Sequence, residues 1–399
     1  MFSDRKVSKF SLKHSFPIVL AIIFVASTLR APLTAVGPII NQLKNILQID
    51  NSMAGIITTI PLLIFGIVSP VVSKITKKLT MSITVVLSIC MIVLALIIRV
   101  SGDFNIFILG TVLLGIGIAL SNVILPSYVK WKFPFQIGLM TGLFSATINF
   151  TAGFGAGFSY PLYKVGGYWL SLSFWIIFAI IALFLWLPYA RSDIKKEKEL
   201  DYDKINRTKI KVSKSKLAWF VALSMGFQSM IFYTFVAWIP SILVDRGLNQ
   251  AMSGYLLMFN QFSQVPMTFI IPIIAAKMKN QKLLVIVIAT LFTIGFLSFF
   301  SQSYTLLVIG MILSGLGMGA GFSLCMTYFS IRSQTNKGSI ALSGFSQSIG
   351  YFVAAIGPYL IGIVHDFTGE WLVSMCLFIL MSILFFVFAF LSSSGTIED

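Results

Sequence analysis

Apolar residues along this chain run in long unbroken stretches instead of alternating with polar ones. Twelve stretches stand out, at about residues 15–40, 52–73, 81–100, 104–129, 136–162, 169–190, 216–244, 251–276, 282–301, 304–330, 338–364 and 371–393. Each is close to the roughly 20 residues that a helix needs to cross the hydrocarbon core of a bilayer. A transmembrane barrel would instead show short alternating segments. The pattern predicts an all-α polytopic membrane protein with twelve transmembrane helices.

Polar sequence divides the spans six and six. Residues 191–215 hold nine Lys/Arg and five Asp/Glu without an apolar run, so they read as a solvated linker. The expected organisation is a bundle over 1–190, the linker 191–215, and a second bundle over 216–399. The halves also repeat. Gly110, Gly115 and Gly117 recur as Gly310, Gly315 and Gly317, and a shift of 202 carries Gly142 to Gly344 and Gly155 to Gly357. The same shift lays Gly167-Tyr168-Trp169-Leu170 on Gly369-Glu370-Trp371-Leu372.

Composition agrees with a membrane protein: 57% of residues are hydrophobic and 11% charged, and the mean hydropathy is +0.93. The net charge of +16 would ordinarily raise nucleic acid as a partner. Here the basic residues fall in alternate loops, with no basic soluble domain. Tails and loops on the N-terminal side carry 24 Lys/Arg, whereas the opposite loops carry four, Lys44, Arg99, Lys164 and Arg246. Positive-inside asymmetry then places both termini in the cytoplasm, with the spans in the cell membrane. The polar start leads into an apolar stretch of spanning length with no small-residue cleavage site, so the first span is expected to be retained. Cys90, Cys325 and Cys376 sit in apolar segments without metal-type spacing and read as small hydrophobes. No cofactor or metal is expected, and the working unit is expected to be a monomer.

One charge breaks the pattern. Arg30 is the single Lys, Arg, Asp or Glu read inside a span and away from its ends. Arginine keeps its proton, and a charge at a helix centre costs at least roughly 2.5–3.5 kcal/mol. No intramembrane carboxylate offsets it, so the site suits an anion or an acceptor-rich solute. Ser27, Arg30, Thr34 and Gly37 would share a helix face, and Pro32 would free a carbonyl and bend the helix, a candidate gating position. The alternative is a structural strut.

Other intramembrane polar side chains are candidates for the same ligand or for joining helices. They are Asn122; the Thr141, Ser145, Asn149 stripe; Gln228 and Tyr233; Asn260, Gln261 and Gln264; and Ser343, Gln347 and Tyr351. Trp238 reads as a gate residue or an interfacial anchor. His365 and Asp366 form the one titratable pair near a pathway, a candidate for gating or proton coupling. Glycine runs such as Gly153-Phe154-Gly155-Ala156-Gly157 lack the lysine of a phosphate loop and read as close-packing surfaces. No catalytic constellation is present, so an enzyme is not expected.

The two-half organisation resembles the major facilitator superfamily over the whole length. More narrowly, the chain resembles the cyanate/2-nitroimidazole permease branch. The likeness rests on Leu29-Arg30-Ala31-Pro32-Leu33-Thr34-Ala35-Val36-Gly37-Pro38, Asn122-Val123-Ile124-Leu125-Pro126, Gly226-Phe227-Gln228-Ser229, Trp238-Ile239-Pro240 and Ser346-Gln347-Ser348-Ile349-Gly350-Tyr351. It implies import or export of a small anion or nitrogen heterocycle by alternating access, with Arg30 as ligand contact and Asn122, Gln228, Gln347 and Tyr351 around it. Thr28 and Ala31 depart from the branch pattern, which leaves pocket shape and cargo open. Ser69 and Ser73 stand where the superfamily's cytoplasmic motif has Gly and Asp, beside Lys74, Lys77 and Lys78. A broad drug efflux pump is the alternative, and a receptor or scaffold without flux the more distant one. Under the 202 shift Arg30 corresponds to Phe232, so the site is expected to draw its cation from the first half and its amides, Gln228 and Gln347, from the second.

Overall fold

A computed structural model describes residues 12–133, 137–198, 212–334 and 336–397. The tail before Leu12, the centre of the linker at 199–211, and Pro134 lie outside the described residues, as do the side chains of Ser73, Lys74, Lys77 and Thr141. The described chain is helical, with one isolated bridge between Ser333 and Ile397. In order, the helices are α1 (Leu12–Ser27), α2 (Ala31–Thr34), α3 (Ile40–Leu47), α4 (Asn51–Leu79), α5 (Met81–Ile98), α6 (Phe104–Lys132) and α7 (Ile137–Ser173). They continue with α8 (Ile176–Lys198), α9 (Lys216–Asp245), α10 (Gln250–Lys277), α11 (Lys282–Ser298), α12 (Tyr304–Ile331), α13 (Asn336–Thr368) and α14 (Leu372–Leu391).

Among the described residues, ten segments are long and apolar enough to cross a membrane, and Lys282–Ser298 is a shorter apolar helix. One of the ten, Gly142–Ile194, is 53 residues long. It turns at Gly166–Gly167, where Gly167 takes φ 69°, and so contains two crossings. Twelve crossings result. Leu94, Phe184, Leu283 and Ile383 point outward and exposed, as lipid-facing residues do. α8 runs on through Lys198, so the first part of the polar linker is helical.

Asp50 and Asp103, at the outer ends as the charge distribution assigns them, are helix caps, and Asn249 is a third. The Asp50 carboxylate accepts from the Met53 N–H, Asp103 from Ile106, and Asn249 does the same for Met252. At the other face the repeat is visible in side-chain chemistry. Tyr128 and Lys132 bind the buried Asp193 carboxylate at 2.8 and 2.6 Å. Two hundred residues on, Tyr328 donates to the Ala389 carbonyl and Arg332 to those of Ser392 and Gly395. One bundle closes with an ion pair and the other with carbonyl contacts.

The first span is not one helix. It breaks at Thr28–Arg30, resumes as the single turn α2, passes through a 3-10 turn at Gly37–Ile39, and ends as α3. Pro32 near the start of α2 and Pro38 near the start of the 3-10 turn explain both interruptions, since neither can donate to the preceding turn. The bend expected at Pro32 is therefore a full interruption. Ser27, Arg30, Thr34 and Gly37 accordingly do not lie along one continuous helix.

The halves meet chiefly through α4 on α13 and α7 on α10. Thr59 donates to the Ala355 carbonyl at 2.9 Å and Ser348 to that of Gly66 at 3.0 Å, each bond joining the halves.

Candidate substrate site at the break in the first span

Because the break leaves Arg30 outside regular helix, its side chain reaches across the interior instead of along a helix face. Nη1 donates to the Asn149 side-chain oxygen at 3.0 Å. The guanidinium carbon lies 4.2 Å from the Phe232 ring centroid and 5.7 Å from that of Phe322. Tyr233 borders the same cavity and packs edge-on against Phe232, and Tyr351 lies close enough to Arg30 and Tyr233 to feel their charge. Among the described residues no carboxylate lies within ion-pair distance of Arg30. The cation is thus held by a neutral amide and aromatic faces, which leaves its charge uncancelled.

Packing fixes this geometry. Thr34 donates to the Ala152 carbonyl at 2.8 Å, tying α2 to α7. Gly155 permits the approach: a Cβ there would stand 2.5 Å from Thr34 Oγ1 and 2.6 Å from the Ala31 carbonyl oxygen. A small cavity, about 20 Å³ traced by the centre of a water-sized sphere, opens beside Arg30. Leu33, Thr34, Ile57, Thr58, Phe232 and Tyr233 contribute to its wall. That space suits a very small solute in this conformation.

The remaining candidates are scattered. Asn149, Tyr233 and Tyr351 belong to the Arg30 cluster. Gln228 is buried and donates to the Met318 carbonyl at 3.1 Å, joining α9 to α12. Gln347 donates to Ser343 within its own helix at 2.9 Å. Gln261 accepts from Gln264 at 3.1 Å, in a buried amide group that includes Asn260. Asn122 is half-buried on α6, away from the cavity wall. The amide beside Arg30 is thus Asn149 of the first half, whereas the second half supplies aromatic rings.

Pro32 offers its carbonyl to Arg99. Trp238 is buried, donates to the Pro358 carbonyl at 2.8 Å and packs on Trp371, so it is no interfacial anchor. His365 and Asp366 lie at the outer junction of the halves. The Asp366 carboxylate accepts from the Ser52 N–H at 2.7 Å, the Asn51 N–H at 3.3 Å and the Ser52 hydroxyl. Asn51 Nδ2 also reaches Asp366, at 2.7 Å, and His365 Nδ1, at 3.3 Å.

Sequence reasoning misplaced one residue. Arg99 counts as a loop cation by position, yet it is 1% exposed and lines the cavity with Arg30. Gly110, a repeat glycine, was the available signal: a Cβ there would sit 2.7 Å from Arg99 Cγ, so its absence makes room for the stem.

This architecture has close counterparts. The family model of the Major Facilitator Superfamily matches residues 19–355. An uncharacterized transporter of Bacillus subtilis is 36% identical over 373 residues, covering 92% of this chain and 90% of its own length. The 2-nitroimidazole transporter of Escherichia coli is 30% identical over 382 residues, covering 94% and 95%. The cyanate transport protein of the same organism is 25% identical over 357 residues, covering 89% and 91%. Among solved structures, a D-xylose–proton symporter superposes with a TM-score of 0.74 at 12% identity, over 94% of this chain and 97% of that one. The chain belongs to the major facilitator superfamily and to its cyanate/2-nitroimidazole-like branch, and it is a multi-pass membrane transporter.

Proposed function

We propose that this transporter moves a small anion, or a small acceptor-rich nitrogen compound of cyanate or nitroimidazole type, across the cytoplasmic membrane by alternating access. The carrying observation is the Arg30 guanidinium, which among the described residues has a neutral amide and two ring faces for partners and no carboxylate. A cation held in that way attracts a ligand's negative or acceptor atoms without first having to break an ion pair. Tyr233 and Asn149 orient the ligand, and the halves rock about the site. One chain is the working unit, with both termini in the cytoplasm.

Proteoliposome uptake of labelled cyanate and 2-nitroimidazole tests this reading. Arg30→Ala is expected to abolish uptake in correctly inserted protein and Arg30→Lys to restore part of it. Full uptake by Arg30→Ala would remove Arg30 from the mechanism.

A further inference from the structure

We propose that Arg99 is a second ligand-binding cation, and that the cargo is an anion held jointly by Arg99 and Arg30; this rests on the reading of Arg30 given above. Arg99 follows the last residue of α5 and turns inward instead of out to water. Its Nη1 has one long bond, 3.3 Å to the Pro32 carbonyl, and the guanidinium carbon stands 4.8 Å from the Phe107 ring centroid. Nε is buried with no partner among the described residues. Among the described residues the guanidinium's five N–H groups thus find one weak acceptor, with Nε buried and unpaired. A buried donor left in that state is costly, and a bound acceptor relieves the cost.

Two further facts separate a ligand contact from a strut. Arg30 and Arg99 wall the same cavity, and no described carboxylate forms an ion pair with either. Both cations border one small space, and a monovalent anion within it is attracted from both sides. The repeat is informative too. A shift of 200 replaces Arg99 by Phe299, as a shift of 202 replaces Arg30 by Phe232. Both cations therefore belong to one half, and the other has rings at the matching positions. Arg99 lies at the outer end of α5, so it meets cargo on the exterior side of Arg30.

The experiment measures thermal stabilisation of purified protein by cyanate, nitrate and formate, and by uncharged urea as a control. Wild-type, Arg99→Gln, Arg99→Lys and Arg30→Gln proteins are compared. Glutamine keeps a donor for the Pro32 carbonyl but removes the charge, so it preserves a strut and deletes an anion contact. Arg99→Gln is expected to weaken anion binding roughly tenfold or more, the scale of a lost charge-assisted hydrogen bond. Arg99→Lys should recover much of it, and ligand-free stability should hold or rise in Arg99→Gln, because the unpaired buried charge is gone. Anion affinities unchanged in Arg99→Gln while Arg30→Gln loses them would overturn the role of Arg99 alone. Loss of ligand-free stability in Arg99→Gln with wild-type anion affinity would make Arg99 a strut. No stabilisation of wild-type by any of the three anions would overturn the anion reading itself.

Discussion

Arg30 and Phe232, which occupy equivalent places in the two halves of the repeat, touch each other: the guanidinium carbon stands 4.2 Å from the ring centroid. Residues related by the repeat meet where the halves face one another, near the pseudo-two-fold relation between them. The contact is a cation over a π face, worth about 0.5–2 kcal/mol. Phe232→Leu keeps the apolar volume and removes the π face. Its half-saturation concentration for cargo should change by between about twofold and thirtyfold, with insertion and expression retained. Unchanged uptake kinetics would show that the ring contributes packing only.

Asn149 is the neutral partner of Arg30, and its neutrality matters to the proposed mechanism. Asn149→Asp would supply the missing carboxylate and convert the site into an internal ion pair. Anion uptake should fall by roughly tenfold or more while the unfolding midpoint holds or rises, because the new pair satisfies a charge already desolvated. Uptake at the wild-type level would contradict the requirement for an uncancelled cation.

Pro32 keeps the first span broken. Pro32→Ala restores a backbone N–H that can donate to the Thr28 carbonyl and removes a penalty of about 3 kcal/mol for a continuous helix. The variant should fold with an equal or higher unfolding midpoint and transport poorly, because Arg30 returns to a helix face. Wild-type transport would mean that the break is incidental to the site.

Asp366 joins the halves at the outer end through bonds to Asn51 and Ser52. Asp366→Asn replaces charge-assisted bonds by weaker neutral ones, a loss of about 1–3 kcal/mol. The population open to the outside should rise by about fivefold to a hundredfold. A cysteine introduced as Thr59→Cys, in protein lacking Cys90, Cys325 and Cys376, would report this as faster labelling by an impermeant reagent. A labelling rate equal to that of the unaltered latch would show that these bonds do not hold the outer end shut.

Much of the architecture could be read from the chain, because span length, loop charge and a shift near 200 are properties of residue order. Arg30 was also legible, since a lone charge in an apolar run needs no coordinates to be noticed. Asn149 and Tyr233 were two polar side chains among many. What selects them is the break at Thr28–Arg30, which aims the guanidinium toward α7 and α9. Gln228 looked equivalent on polarity, yet the Met318 carbonyl lies within its reach and engages it. Arg99 was hidden for a different reason. At a span end, outward and inward rotamers carry the same sequence signature, and the choice is made by Gly110 and the Pro32 carbonyl, both remote in sequence.

The carboxylate that holds Asn51 and Ser52 also completes a helix terminus. Asp50 covers the Met53 N–H from the helix's own side, and Asp366 covers the two before it from across the interface. When the outer ends part, α4 loses part of its N-terminal cap and hands those amides to water. In the proposed alternating-access mechanism, helix capping then contributes to the balance between the two faces, a backbone property separate from the side chains beside Arg30. On the proposed mechanism, cargo preference would then rest on the side chains around the break, and resting orientation in part on Asp366 at the rim.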